Sequence, residues 1–404
     1  ETNNIIEKEI LKINLETEEV DLLDSLNRIL AEDVYADLNL PQFNNSAVDG
    51  YAVKYNPGIG RGESEILKWK IVGEITAGNY NEIDVDENSA VLIMTGSKIP
   101  SACDTVIPIE DVAIKEGFVE LTRDIEYKPG QNVRKKAEDI TSNELAVQKG
   151  IHILPQQISL LAACGKDKVK VFKQLRIGVL ATGDELVDIN RFPKEDKIRA
   201  TNLYTLLALI KQLNMIPLNC GFVKDSKEEI KVRIESALNN TTDILLTTGG
   251  VSVGKFDYIK EAIQELGVEI KFWKANIKPG KPIVFGVFER EGKKKLIFGL
   301  PGNPVSSFVN FIIFVRNNIN KLYGMDEKKL KAKLMSELQK KDNKRHFIRG
   351  FIRKDSASGQ YFVSPIGSQS SGNMVGMSKA NCLIVFEEEK ESLTAGDFAE
   401  CITM

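Results

Sequence analysis

Between residues 175 and 324, the hydrophobic positions of the chain alternate between two patterns. Short apolar runs such as LRIGVLATG, MIPLNCGFV and DILLTTGG are typical of buried strands, and each is followed by the spacing of an amphipathic helix. Ser226 and Glu229 form a capping-box pattern at one helix start, and Pro304 suits the first turn of the last helix. Repeated βα units of this kind predict a mostly parallel sheet with helices on both faces.

The flanking segments have other patterns. Residues 17–34 place apolar side chains from Val20 to Leu30 on one helical stripe and predict an amphipathic helix. Residues 138–172 also predict helix, with Gly165 as a C-terminal cap. Short alternating runs such as SAVLIMTG and FVELTRDI, separated by Gly and Pro, predict strands before this segment, and RHFIRGFIR and NCLIVFEE predict strands near the end of the chain.

These patterns predict a multidomain α/β protein, because 404 residues are too many for a single hydrophobic core. We expect a discontinuous helical linker domain (1–39 plus 138–174), a β-rich inserted domain (40–137), a central parallel α/β domain (175–324) and a small, barrel-like all-β C-terminal domain (325–404).

Composition excludes several classes of function. A net charge of −3 gives no general attraction to nucleic acid or to an anionic membrane surface. The first residues lack the apolar core of a signal peptide, and no apolar run is long enough to span a bilayer, so we expect a cytoplasmic protein. Five scattered cysteines without a CxxC pair argue against a disulfide framework or a structural zinc site. Two histidines, His152 and His346, argue against a histidine-based catalytic triad.

Candidate chemistry lies where the predicted parallel strands end, because ligands of open α/β sheets bind at the carboxyl ends of the strands. Glycines there let backbone N–H groups approach phosphate oxygens, and carboxylates beside phosphates indicate a bridging Mg²⁺. Helix capping alone would also favour Asp and Ser at such positions, but their occurrence at successive strand ends favours a ligand site. The candidate metal ligands are Asp184, Glu185, Asp225 and Asp257, and the candidate phosphate cradle comprises Thr182, Gly249, Gly250 and Ser252.

An ordinary P-loop is excluded. Residues 249–255 fit the pattern G-x-x-x-x-G-K, but Phe256 stands where the metal-binding Ser or Thr is required. Lys255 is then a solvated residue at the edge of the loop.

Basic residues offer candidate anion ligands. The segment KANIKPGKPIVFG carries Lys274, Lys278 and Lys281 around a Pro-Gly turn. The turn favours a common oxyanion for the last two, whereas Lys274 fits a solvated face equally well. Arg134, Arg349 and the Ser370-Ser371 pair are further candidates, although each also fits an ordinary surface position.

The stretch NNSAVDGYAV has two interpretations. Asp49 and Gly50 are a strong turn signal, and the same loop could present Ser46 and Asp49 to a ligand.

Taken together, NNSAVDGYAV, IMTG, GQNVRKKAEDI, ATGDEL, TTGGVSVGKFDY, KPGKPIVFG, GLPGNPVSS and NCLIV resemble the molybdopterin molybdenumtransferase family (MoeA and the E domain of gephyrin). The motifs occur in the family's order over nearly the whole chain. The resemblance implies a homodimer of four-domain subunits, each with a molybdopterin-binding α/β domain. It also implies insertion of molybdate into the dithiolene of adenylylated molybdopterin, with Mg²⁺-assisted release of AMP.

The resemblance implies roles for residues at matching positions. The implied catalytic residues are Asp49, Asp139, Glu185, Asp225 and Asp257; the implied substrate-binding residues include Thr95, Arg134, Lys274, Pro301 and Pro304; and the implied molybdate ligands are Lys278, Lys281, Ser306, Arg349 and Ser371. Asp49 and Thr95 would complete the active site of the other subunit.

The chain departs from the family at several positions. Val48 replaces the usual Met, and Lys135-Lys136-Ala137 replaces Arg-Arg-Gly. Lysine lacks arginine's bidentate fork, so a phosphate contact by Lys135 or Lys136 is in doubt, and Ala137 lacks the freedom of glycine at positive φ. Lys255 stands where an acid is common.

Two other functions remain open on the sequence. One is the sister molybdopterin adenylyltransferase, which shares the α/β domain but lacks the β-rich domains. The other is a gephyrin-like scaffold that binds a peptide, which the retained carboxylates disfavour. The expected partners are a second copy of the chain, molybdopterin adenylyltransferase, and downstream molybdoenzymes or chaperones, with no nucleic acid and no membrane.

Overall fold

The computed structural model describes residues 1–56, 67–122, 125–239, 242–250, 258–325 and 329–404. The chain forms two compact units, one of residues 19–171 and one of residues 1–18 with 172–404. None of the helices in these described ranges is long and apolar enough to cross a membrane.

The second unit contains a six-stranded sheet that confirms the predicted βα alternation. Its strands in chain order are β1 (Arg176–Thr182), β2 (Ile216–Val223), β3 (Ile244–Thr248), β4 (Glu269–Lys274), β5 (Pro282–Arg290) and β6 (Lys293–Leu300). The spatial order is β2-β1-β3-β6-β5-β4. The first four strands of that order are parallel, whereas β5 is antiparallel to both of its neighbours.

Helices cover both faces of this sheet. Helices α1 (Thr201–Gln212), α2 (Lys227–Asn239) and α3 (Tyr258–Glu265) follow β1, β2 and β3 in turn. Apolar side chains of α2 and α3 pack with Leu180 and Leu245 in one core cluster. Neighbouring strand residues point to opposite faces, so the complete burial of Val179 and Leu246 shows that the other face is covered as well.

The last long helical segment begins at Pro304, as the sequence predicts. Helix Pro304–Asn310 has proline in its first turn, continues through the π-helical turn Phe311–Arg316 and ends in Asn317–Leu322. The N-terminal helix Thr2–Ile10 packs against Asn317–Leu322 within the same unit.

The C-terminal residues form a closed five-stranded barrel. Closure follows from strand Arg345–Lys354, which pairs with both Tyr361–Pro365 and Cys382–Phe386. The remaining two strands are Lys329–Leu334 and Phe398–Thr403, and a short helix, Met374–Ser378, lies between strands. The prediction of a small all-β C-terminal segment is confirmed.

The first unit is rich in strands between residues 40 and 137, as predicted. Its six-stranded sheet has the order Thr105–Pro108, Gly50–Val53, Ser89–Ile93, Lys68–Ile75, Phe118–Leu121 and Val112–Lys115. A separate core joins residues 30–36 to residues 140–171 and contains the helix Pro155–Ala163. Gly165 follows this helix with φ +71°, which confirms it as the C-terminal cap. The rest of the helix predicted over residues 138–172 is wrong, because Leu145–Val147 and Lys168–Phe172 are strands that pair with distant parts of the chain.

The predicted helix over residues 17–34 is wrong. Thr17–Asp21 is a strand, and Leu23–Ser25 forms only a 3₁₀ turn. The backbone N–H groups of Leu22 and Leu30 donate to the carbonyl oxygens of Asp167 and Ile151, so distant backbone pairing replaces helical bonds here. Leu23 is 79% exposed, whereas Leu30 is fully buried, so the apolar positions read as one helical stripe do not share one face.

Candidate functional site

The strand ends of the α/β sheet form an edge that is acidic at one side and basic at the other. The carboxyl ends of β2 and β1 lead into Asp225 and into Asp184-Glu185. At the other side, β5 begins just after Lys281, and Lys274 at the end of β4 pairs with Pro282. Three inter-strand steps separate β1 from β5, which corresponds to about 14 Å at the usual strand spacing.

Glycines occupy the middle of this edge, and at Gly249 the neighbouring backbone leaves no room for a side chain. Gly249 has φ +95°, and a Cβ atom there would lie 2.2 Å from the carbonyl oxygen of Thr182. A Cβ atom on Gly302 would lie 3.6 Å from the Cα of Gly249, so the loops after β3 and β6 are adjacent. Gly250 also has a positive φ, +60°. The structure therefore brings Thr182, Gly249 and Gly250 together, and their role as a phosphate cradle stays a prediction; Ser252 lies outside the described residues.

Asn202, which the sequence analysis missed, ties these loops together. Its side-chain amide in the first turn of α1 donates to the Thr248 hydroxyl at 3.0 Å and to the Gly302 carbonyl at 2.6 Å. The Thr248 hydroxyl in turn donates to the carbonyl of Pro301 at 3.1 Å. The motif ATN at residues 200–202 carries no distinctive signal, so only the fold reveals this contact.

The carboxylates at the acidic side are close in space. The backbone N–H of Asp225 donates to Oδ1 of Asp184 at 3.3 Å. Burial raises the pKa of Asp225; the nearby Thr182 hydroxyl offsets this in part, and the charges of Glu185 and Asp184 raise it further. Oδ1 of Asp225 is buried without a well-formed hydrogen bond. Among the described residues, no three His, Cys, Asp or Glu side chains converge on one point, and the predicted ligand Asp257, like Lys255, lies outside those residues.

An open cavity of about 840 Å³ adjoins the acidic side. Gly183, Asp184, Lys197 and Arg233 contribute to its lining, and the Lys197 ammonium donates to the carbonyl oxygen of Asp184 at 3.1 Å. The cavity is therefore lined by both acidic and basic side chains.

The basic side is fixed by the turn that carries Lys278. A Cβ atom on Gly280, which has φ +92°, would lie 2.3 Å from Oδ1 of Asn310. The Asn310 amide donates to the Gly280 carbonyl at 3.1 Å. Lys274, Lys278 and Lys281 are all exposed, so the fold supports their prediction as accessible cations at one edge.

Lys278 already has an acidic neighbour, Asp342, which the sequence analysis did not select. The Lys278 ammonium lies 3.6 Å from Asp342 Oδ2, and His346 Nε2 lies 2.7 Å from Oδ1. Burial acts to raise the pKa of Asp342, but bonds from His346 and the Lys344 backbone, with the nearby positive charges, lower it to about 2. Asp342 is thus a permanent counter-charge next to the predicted oxyanion ligand.

Arg349 organises the loop that contains Ser371. Its side chain is 1% exposed, and its guanidinium donates to the carbonyl oxygens of Asn373, Ser368 and Ser370 at 2.7, 2.9 and 3.0 Å. The Ser371 carbonyl accepts a bond of 3.1 Å from the backbone N–H of Val305, which precedes the buried Ser306. The structure therefore brings Ser306 and the Ser371 loop together, and a direct contact of Arg349 with an oxyanion stays a prediction.

In the first unit, Asp49 is hydrogen-bonded to Thr95. Asp49 Oδ1 accepts bonds of 2.7 Å from both the backbone N–H and the hydroxyl of Thr95, and these bonds lower the pKa of Asp49. Ser46 is buried and its hydroxyl donates to the Val48 carbonyl, so the loop presents Asp49 but not Ser46.

The turn interpretation of Gly50 is wrong. Gly50 begins the strand Gly50–Val53 and does not have a positive φ. A Cβ atom there would lie 2.1 Å from the Ile107 carbonyl oxygen, so close backbone approach is what requires glycine.

Arg134 and Asp139 form an exposed ion pair of 2.8 Å. Between them, the backbone N–H groups of Lys135 and Lys136 donate to Glu138 Oε2 and Asn44 Oδ1. Ala137 has φ +63°, which confirms that this position requires the conformation that glycine adopts most readily.

Comparisons with known proteins cover the whole chain. Three family models match in order: the MoeA N-terminal region (domain I and II) over residues 1–165, a probable molybdopterin binding domain over 178–321, and the MoeA C-terminal region (domain IV) over 331–404. A molybdopterin molybdenumtransferase of Haemophilus influenzae is 36% identical over 397 residues, covering 96% of this chain and 94% of the relative. One of Staphylococcus epidermidis is 32% identical over 403 residues, covering 98% and 93%.

Two crystal structures of the molybdopterin biosynthesis MoeA protein of Pyrococcus horikoshii are similar over all of this chain. One has 31% sequence identity and a TM-score of 0.80, covering 97% of the solved chain. The other has 27% identity and a TM-score of 0.83, covering 98%.

Proposed function

The chain belongs to the molybdopterin molybdenumtransferase family of molybdenum cofactor biosynthesis, and from this premise we propose the reaction that its site performs. The protein inserts molybdate into the dithiolene of adenylylated molybdopterin and releases AMP with the help of Mg²⁺. The products are AMP and the molybdenum-loaded cofactor.

The observation that carries this proposal is the order of charges along one sheet edge. The edge has carboxylates at the ends of β1 and β2, glycine backbone in the middle and lysines beside β5. This order fits a substrate that has a pyrophosphate at one end and a reacting oxyanion at the other. Lysine ammonium groups form strong charge-assisted bonds to a dianion such as molybdate. Lys278 and Lys281 hold it there, and Ser306, Ser371 and Arg349 complete the anion site.

The acidic residues fit a Mg²⁺ ion. Asp225 Oδ1 is buried without a well-formed bond, and burial together with the charges of Glu185 and Asp184 raises the pKa of this carboxyl, so a bound cation would favour its charged form. Mg²⁺ needs only one or two protein carboxylates when phosphates and water supply its other oxygens. Asp184, Glu185, Asp225 and Asp257 would hold it, and as a Lewis acid it would stabilise charge on the phosphate oxygens.

The other residues orient the substrate. Backbone groups at Gly249 and Gly302 can approach phosphate oxygens closely because neither residue carries a side chain, and Asn202 keeps these two loops in register. Pro301 and Pro304 shape the loop after β6, and Lys274 adds positive charge at the far side.

We place Asp49, Thr95, Arg134 and Asp139 in the active site of a partner subunit within a homodimer. Their support is chemical: the lowered pKa of Asp49 keeps a carboxylate ionised on an exposed loop. Arg134 pairs through its backbone with Asn45, just before this loop, and forms an exposed ion pair with Asp139. A cytoplasmic adenylyltransferase would supply the substrate, and molybdoenzymes or their chaperones would accept the product.

The experiment is AMP release from adenylylated molybdopterin at fixed Mg²⁺, with and without molybdate. Molybdate-dependent release supports the transferase. Binding without release supports a scaffold, and absence of binding contradicts the proposal.

Variants assign the metal ligands. Asp225→Ala and Asp257→Ala are each expected to slow release by about tenfold to a hundredfold or more while the protein remains folded, because each loses a charged contact of about 1.5–3 kcal/mol or more. Glu235→Gln is the matched control, since Glu235 is an exposed acid on α2. Normal turnover in both alanine variants would contradict the metal assignment.

A further inference from the structure

Trp273 is an exposed aromatic residue at the basic side of the sheet edge. It is 51% exposed, whereas the chain's other tryptophan, Trp69, is 5% exposed in a core. Trp273 precedes Lys274, whose backbone pairs with Pro282 at the start of β5. Because β4 is the outer strand of this sheet, the indole lies one strand beyond the lysine-bearing turn.

The indole is held in place without being buried. The Lys260 ammonium, in the first turn of α3, lies 4.3 Å from the ring centroid. Since α3 follows the carboxyl end of β3, its first turn lies at the site edge of the sheet. The preceding residue, Phe272, packs instead against Phe285 with ring centroids 5.5 Å apart. Phe272 therefore contributes to the packing of the sheet, whereas the larger aromatic surface of Trp273 stays accessible to solvent.

We propose that Trp273 is a stacking platform for the pterin ring system of the substrate. This inference rests on the proposed function, in which molybdate lies at Lys278 and Lys281 and the pyrophosphate lies at the carboxylates. In molybdopterin, the two dithiolene carbons and the carbon that carries the phosphomethyl group belong to one ring, and the pterin is fused to the side of that ring away from the phosphate. With the dithiolene at the lysines, the pterin extends toward β4, where the indole lies.

The chemistry of the platform suits a heterocycle with a flat π-face. Stacking of a heterocyclic base on an aromatic side chain typically changes affinity by about tenfold or more. The Lys260 ammonium lies over one face of the indole and fixes its orientation, so a ligand would stack on the opposite face with little further loss of freedom. Trp273 is thus a substrate-positioning residue rather than a residue that touches the reacting atoms.

Binding is tested by fluorescence. In a Trp69→Phe variant, Trp273 is the sole tryptophan, and titration with adenylylated molybdopterin is expected to quench its emission. AMP alone is the second probe and is expected to leave emission unchanged. Quenching by AMP to the same extent would place adenine, not pterin, at the indole and would overturn the proposal, as would the absence of quenching by a bound pterin substrate.

Kinetics separate this inference from the proposed function. Trp273→Leu is expected to raise the KM for adenylylated molybdopterin about tenfold with the KM for molybdate unchanged, and Trp273→Phe to recover most of the loss. Phe398→Leu is the matched control, because Phe398 is a 56% exposed aromatic residue of the barrel. If wild type releases no AMP, the proposed function fails; if wild type is active and Trp273→Leu has an unchanged KM, only the stacking inference fails.

Discussion

Asp49 and Thr95 are joined through a single carboxylate oxygen, Oδ1, which accepts the backbone N–H and the hydroxyl of Thr95 at 2.7 Å each. Both bonds favour the charged form, and together they lower the pKa of Asp49. The geometry keeps an exposed carboxylate ionised and oriented, which suits the role proposed above for Asp49.

Removal of the Thr95 hydroxyl should raise the pKa of Asp49 toward the ordinary aspartate value. Thr95→Ala loses one of the two bonds, whereas Thr95→Ser keeps both and serves as the control. Titration of the Asp49 carboxyl carbon by NMR measures the change. The pKa is lowered in the folded state, so the stabilisation is present at neutral pH and is lost as the pH falls through that pKa. An unchanged titration in Thr95→Ala would show that the backbone bond alone sets the pKa.

The family resemblance named both Asp49 and Thr95, but nothing in the sequence predicted the bonds between them. At the neighbouring Gly50, local turn propensity suggested the wrong reason for glycine, whose constraint is the Ile107 carbonyl more than fifty residues away. Asn202 and Asn310 were missed for the same reason, since their partners are backbone atoms of distant loops. The βα units were predictable because hydrophobic periodicity is local. The strand at residues 17–21 was not, because long-range backbone pairing determines it.

Loss of the Asn202 amide should loosen the two glycine loops. Asn202→Ala removes the bonds to Thr248 and Gly302, and we expect a loss of about 1–2 kcal/mol in the free energy of unfolding together with a raised KM for the adenylylated substrate. Urea denaturation and AMP release measure the two effects.

Asn202→Asp is a more stringent test of the amide. It keeps the shape of the side chain, but a carboxylate oxygen replaces the amide N–H donor that faces the Gly302 carbonyl. It should be less stable and bind substrate more weakly than Asn202→Ala. An Asn202→Ala protein with unchanged KM would mean that the loops hold their register without this amide.

Replacing Ala137 with glycine should stabilise the protein. Ala137 has φ +63°, and the left-handed conformation costs a residue with a Cβ atom roughly 1–2 kcal/mol. Glycine removes that strain but adds unfolded-state entropy, so the expected net gain is about 1 kcal/mol or less. Thermal unfolding measures it. Ala163→Gly is the matched control and is expected to lower stability instead, because Ala163 is an exposed residue of helix Pro155–Ala163 with right-handed backbone.

Asp225→Asn should increase stability while it removes activity. Burial first, then the charges of Glu185 and Asp184, raise the pKa of the Asp225 carboxyl in the folded state. For a carboxyl whose pKa is raised in the folded state, stability is highest below the pKa of the unfolded state, which is near 4. It falls as the pH rises through the pKa of the folded state. Wild type therefore carries the cost of a buried charge at pH 7, and the amide does not.

Urea denaturation at a series of pH values from 4 to 7 measures this difference. The stability of Asp225→Asn relative to wild type should grow as the pH rises, and Glu235→Gln should show no such trend. Added Mg²⁺ should raise the Tm of wild type and leave that of Asp225→Asn nearly unchanged, since the positive charge of the proposed cation would balance the negative charge of the carboxylate. If Asp225→Asn is less stable than wild type at pH 7 without Mg²⁺, Asp225 is a structural residue whose bonds outweigh its burial, and the metal assignment loses its main support.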